Sequence, residues 1–244
     1  MTASAPWEAV TEDALNELRR RGRLSDATVI LIGSVARNVA TPESDIDVLV
    51  IAPERLSRWD DSPPGLHLLL STRSRFVERL GSGDDFPQWV ARFGRVLSDE
   101  SNWWPRFLRD PALEQFPNWK RKRDQGADRL SLASDLYKAG DYDHAQEEYL
   151  LSTGHVVRSV LLRAGLFPLS RPELQQQLRD ADVDELADAL ESLAKESITP
   201  AMLKEIDGIL RRHLDRLSNG SVYSPAGRSS AEGRTSIRPL GKKR

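Results

Sequence analysis

The 244-residue chain contains no cysteine. That excludes disulfides, thiolate metal sites and cysteine nucleophiles, and it fits a reducing cytoplasm. Long apolar runs are missing as well. Apolar runs such as residues 48–52 and 68–70 are far too short to span a bilayer, so no membrane partner is expected. Charge of one sign is not in excess: the formal net charge is -2, which gives the whole molecule no strong pull toward nucleic acid or membrane. Residues 1–10 have no basic start leading into an apolar stretch, so no secretory leader is read there. With 39% hydrophobic and 30% charged residues, the composition is that of a globular protein with a real core. A soluble, cytoplasmic protein is expected.

What is present divides into two halves. An amphipathic helix is read from residue 4 or 5 to 21, with Trp7, Val10, Ala14, Leu15 and Leu18 at helical spacing and Gly22 as its stop. Residues 27–32 form a short β-branched run, which reads as a buried strand. Gly33-Ser34 ends it, a short helix follows to about 39, and Pro42 breaks that helix. Residues 45–51 alternate as a second strand, with Asp45 and Asp47 on one face. A third strand at 66–71, helices at 74–80 and 86–93, and a short strand at 95–97 follow. The stretch from 103 to 119 is punctuated by Pro105, Pro111 and Pro117, as a domain boundary would be. Beyond it the pattern is helical only, at roughly 120–139, 142–164, 172–180, 184–195 and 200–217. After Ser218, six basic residues stand against the single acid Glu232, a composition that cannot bury a core.

The chemistry is concentrated in Gly33-Ser34, ten intervening residues, and Asp45-Ile46-Asp47. Glycine lets the backbone turn sharply and approach a phosphate closely. Ser34 adds a hydroxyl at a helix start, where unpaired N–H groups favour anions, and Arg37, one turn on, can reach the same phosphates. Two carboxylates two residues apart on a strand share a face. They repel unless a cation lies between them, and magnesium with phosphate oxygens is the natural occupant.

This stretch, extended to Ser44-Asp45-Ile46-Asp47-Val48, resembles the signature of the minimal nucleotidyltransferases of the polymerase β-like superfamily. The order helix, strand, Gly-Ser turn, helix, acidic strand is similar to that fold over about residues 26–97. The helical half resembles the bundle joined to such domains in aminoglycoside nucleotidyltransferases and nucleotidyltransferase-like antitoxins, in part through Ser170-Arg171-Pro172-Glu173-Leu174. The resemblance implies an α+β fold. In this reading a mixed sheet flanked by helices would occupy residues 1–118, an all-α bundle 119–217, and a disordered basic tail 218–244. It implies metal-dependent transfer of a nucleoside monophosphate, with AMP from ATP as the leading case, onto a hydroxyl or similar acceptor. Gly33, Ser34, Arg37 and Ser44 would hold the triphosphate of ATP or another NTP. Asp45 and Asp47 would bind Mg2+ or Mn2+ and act in catalysis. The acceptor, a small molecule or a protein, would sit in the cleft between the domains. Nucleic acid is not favoured as a partner, and a homodimer is left open.

The chain departs from the family pattern at one place. A third carboxylate is expected on the next strand, and His67 stands there. Three readings follow: His67 is an altered ligand or base; the third acid is Asp60, Asp61 or Glu78; or the site binds nucleotide without turning it over, as a regulatory module of the antitoxin-like kind. Glu147 and Glu148 are candidates for the acceptor's base by position alone. The basic run 120–123 and the tail could meet phosphates, although such runs are commonly solvated faces. His144 and His155 are too far apart along a helix to share one metal. Trp103, Trp104 and Trp119 are expected to pack between the domains. Ribonuclease toxins resembling the helical half place an arginine four to six residues before a histidine, and none of the four histidines here has one.

Overall fold

The computed structural model describes residues 12, 16, 26–41, 44–54, 65–195 and 198–220. Of the helix expected over 4–21 only Glu12 and Asn16 are described, both helical. Pro42, Asp60, Asp61 and residues 221–244 of the basic tail lie outside the described residues.

Four strands form one mixed sheet: β1 (Thr28–Ile32), β2 (Ile46–Ala52), β3 (Leu66–Thr72) and β4 (Arg95–Asp99), in the order β3-β2-β1-β4. β1 pairs antiparallel with both β2 and β4, and β2 runs parallel to β3. All five residues of β1 are buried, as expected of a β-branched run with both faces covered. Alternate residues supply two cores. Val29, Leu31, Val48 and Val50 pack on one face with Val35 and Ala36. Ile30, Ile32, Leu49 and Ile51 pack on the other with Phe76, Trp89, Val90, Trp104 and Phe107. The second face is covered by α2 (Arg73–Gly81), α3 (Asp85–Phe93) and α4 (Trp103–Phe107), while α1 (Gly33–Arg37) links β1 toward β2. Trp103 and Trp104 belong to this aromatic cluster beneath the sheet, each about 6 Å from the Phe76 ring, rather than to a junction between halves.

The second half is α5 (Trp119–Lys138), α6 (Tyr142–Arg163), α7 (Arg171–Arg179), α8 (Asp184–Leu193) and α9 (Pro200–Ser218). Its own core joins Leu130, Tyr149, Val156, Leu161, Leu178, Leu186, Leu203 and Leu210. α5 and α6 form an antiparallel hairpin closed by Gly140, whose φ of 82° only glycine adopts freely. They approach so closely at Gly126 that a Cβ there would lie 2.9 Å from Val156 Cγ2.

A buried charge cluster joins the halves. Asp84 and Asp85, at the start of α3, are 1% and 2% exposed. Lys122 Nζ lies 2.9 Å from Asp85 Oδ1 and 3.4 Å from Asp84 Oδ1. Arg79 Nε donates to Asp84 at 2.8 Å, and Arg158 reaches Asp85 at 3.4 Å. Burial alone would raise the Asp84 carboxyl, but Lys122 and Arg79 together hold it well below the usual carboxylate range. The basic run 120–123 is therefore largely structural: Arg121 donates to Ser82, and Arg123 pairs with Asp124 and lies over Trp119.

Candidate active site

One end of the sheet gathers the sequence-selected residues. β1 ends there, while β2 and β3 begin side by side, because β1 is antiparallel and β3 parallel to β2. The registers are Ile32 opposite Asp47 and Asp47 opposite His67. Asp47 and His67 lie on the same face as Leu49 and Leu69, at the mouth of the aromatic core.

Gly33 follows Ile32 with φ 72°, a left-handed turn that an L side chain rarely adopts. Its missing side chain has a second consequence. A Cβ on residue 33 would collide with Asp47 Oδ2 and lie 3.2 Å from Asp47 Cγ. The glycine thus brings backbone and carboxylate into direct apposition. Val35 and Ala36 anchor α1 in the core, and Asn38, at φ 59°, ends it. The Ser34 side chain is half-buried, and no hydrogen bond from its hydroxyl is formed among the described residues.

Asp47 Oδ1 faces His67 Nδ1 at 3.1 Å. The carboxylate is 31% exposed and the imidazole 66%. Burial pushes the Asp47 carboxyl up from its ordinary value, and the charge of Asp45 adds to this. The hydrogen bond and charge of His67, together with the charge of Arg171, pull the other way. Asp45 is exposed and sits one residue before β2, so the strand starts later than the alternation implies. Ser44 closes a small turn, its Oγ accepting the Thr41 N–H at 2.9 Å.

Arg37 is engaged by the helical half. Its Nε and Nη2 donate to Glu173 at 3.1 and 2.5 Å, and its guanidinium stacks 4.4 Å from the Phe93 centroid. Glu173 Oε2 also accepts the Ser170 N–H, the return half of a capping box at the start of α7. The bond from Arg37 keeps the Glu173 carboxyl below its usual range. Phe167 completes the junction, 6.1 Å from Phe93 and beneath Arg92. The first turn of α7 therefore docks on the end of α1, the short helix that the Gly-Ser turn begins. Arg171 and Glu173 are site-adjacent residues that spacing around the aspartates could not indicate. Their sequence signal was the Ser170–Leu174 phrase, which marks only a helix start.

The remaining candidates are not brought in. Glu78 is exposed on α2, Glu147 is exposed on α6, and Glu148 is paired with Arg129 at 2.8 Å. Among the described residues, no three histidine or acidic side chains converge as a metal held by protein alone would require.

No curated protein matches the chain. Among solved structures, it is similar to a nucleotidyltransferase-like protein from Exiguobacterium sibiricum, 18% identical, with 86% of this chain and 75% of that one covered and a TM-score of 0.37. Over residues 12–100 the chain matches the family model of the nucleotidyltransferase domain, and Gly33, Ser34, Asp45, Asp47 and His67 all fall inside that match.

Proposed function

We propose that this chain moves a nucleoside monophosphate, AMP from ATP in the leading case, from a nucleoside triphosphate to a hydroxyl or similar acceptor. The observation that carries the reading is the apposition of Gly33 and Asp47: a backbone open to a phosphate, with a partly buried carboxylate directly against it.

The donor set fits a hard divalent ion shared with the nucleotide. Magnesium keeps several waters and usually takes one or two carboxylates plus phosphate oxygens, so Asp45 and Asp47 are enough protein ligands for Mg2+ or Mn2+. Such an ion would offset charge on the phosphates and polarise the reacting phosphoryl group. The chain's own residues do the rest. Gly33 and Ser34 hold the polyphosphate, with backbone access and a free hydroxyl. Ser44 stiffens the approach to Asp45 through its turn with Thr41. His67 Nδ1–H donates to Asp47 Oδ1 and leaves Oδ2 aimed at the Gly33 turn. Positioning of this kind is the protein's main contribution to nucleotidyl transfer. The acceptor would approach between the sheet end and the first turn of α7.

Equilibrium binding of ATP tests the reading before any acceptor is known. Calorimetry with Mg2+ or Mn2+ should give metal-dependent binding to the wild type. Binding that is metal-independent, or unchanged in Asp45→Asn/Asp47→Asn, contradicts it.

A further inference from the structure

A polyphosphate beside two carboxylates concentrates negative charge, and a divalent ion offsets only part of it. Among the described residues, the cations near the Gly-Ser turn are few. Arg37 is engaged in its two hydrogen bonds to Glu173 and its stack on Phe93. Arg95, at the start of β4 and the same end of the sheet, donates to Asn38 Oδ1 at 2.6 Å. Arg171 differs from both. It is exposed at the first position of α7 and forms no hydrogen bond, ion pair or ring stack among the described residues. Its place is nonetheless fixed. Pro172 follows it with a restrained backbone. Two residues on, Glu173 is tied both to Arg37 and to the Ser170 N–H. The Glu173 bonds also dock the first turn of α7, which Arg171 begins, on the short helix that starts at Gly33.

We propose that Arg171, contributed by the helical half, is the arginine that binds the nucleotide's polyphosphate, and that the Arg37–Glu173 pair is the strut that positions it. This rests on the function proposed above. It replaces Arg37 as the phosphate contact and gives the helical half a part in the site beyond packing. A guanidinium suits the task because it stays charged and can present two N–H groups to one phosphate.

The test uses the full chain, a non-hydrolysable α,β-methylene analogue of ATP with Mn2+, and adenosine as a probe lacking phosphate. Arg171→Ala should weaken the analogue roughly tenfold to a hundredfold while leaving the melting temperature and any adenosine affinity unchanged. Arg171→Lys should recover part of the loss. Arg37→Ala should weaken the analogue and also lower the melting temperature, and the reversed pair Arg37→Glu/Glu173→Arg should restore part of both. If the wild type binds the analogue and Arg171→Ala binds it within twofold, the inference is overturned and the proposed function stands. If the wild type binds no nucleotide with any divalent metal, both are overturned.

Discussion

Asp47 Oδ2 occupies the space that a side chain on Gly33 would need. The two residues are 14 apart in sequence and meet because β1 and β2 are antiparallel, with Ile32 opposite Asp47. Glycine is required twice over, for its positive φ and for this contact. Gly33→Ala should therefore cost about 1–2 kcal/mol in stability from the left-handed backbone alone. It should also remove nucleotide binding, because the new Cβ displaces the carboxylate. Urea unfolding and ATP calorimetry on the same variant check both parts. A variant of normal affinity would mean that Asp47 need not sit against the turn.

His67 sits opposite Asp47 in the parallel register and touches Oδ1. If its task is to orient that carboxylate, His67→Asn, which keeps an N–H donor, should retain most of the activity. His67→Ala should lose about tenfold in kcat, with little change in KM for the nucleotide. Equal, large losses in both variants would make the imidazole itself the essential group.

Lys122 illustrates why a basic run need not be a binding surface. Its ammonium is nearly buried between Asp84 and Asp85. Lys122→Met leaves those carboxylates short of a partner, and the expected loss is about 3 kcal/mol in unfolding free energy. Lys120, at the exposed end of the same run, should be replaceable with almost no effect. Denaturant titration of the two variants separates the readings: weaker phosphate binding at unchanged stability in Lys122→Met would favour the surface role.

Acid should destabilise the fold before its carboxylates titrate. Burial pushes His155 down to about 4, helped by the charges of Lys122, Arg158 and Arg129 and opposed by Asp85. His213 is likewise pushed down to about 4 by burial, with Arg216 and Arg212 acting in the same direction and Glu185 against. Between their folded value near 4 and the ordinary histidine value of 6.5, the unfolded chain binds more protons. Stability is therefore full above pH 6.5 and falls as the pH drops toward 4. Asp84 acts in a lower window, because its depressed carboxyl loses its contribution only below the ordinary aspartate value. Melting temperatures from pH 7 to 4.5 should decline in the wild type and decline less in His155→Gln. An identical slope in the two proteins would remove His155 as a cause.

The strands and helices were legible because each satisfies a local rule. β1 reads as a strand from its β-branched run, and α5 to α9 read from helical spacing, with expected and observed ends agreeing to within about two residues. The cluster of Gly33, Asp47 and His67 was legible for the same reason, since a turn, a hairpin and one parallel register bring it together. What escaped was long-range charge. Arg37 looked like a phosphate ligand one turn from Ser34, yet it pairs with a glutamate 136 residues away. Lys122 looked solvated and is buried. Trp103 and Trp104 looked like interface residues and instead fill the underside of the sheet. No local pattern distinguishes a charge that will find a buried partner from one that will face water, because the partner is set by how elements dock.

Doubly labelled ATP gives the most direct test. With Mg2+ or Mn2+ and a panel of hydroxyl acceptors, the α-phosphate label should move to an acceptor while the γ label leaves as pyrophosphate. Asp45→Asn/Asp47→Asn should lose at least a hundredfold of that transfer. Movement of the γ label to the acceptor, or α transfer undiminished in the double variant, would contradict the account.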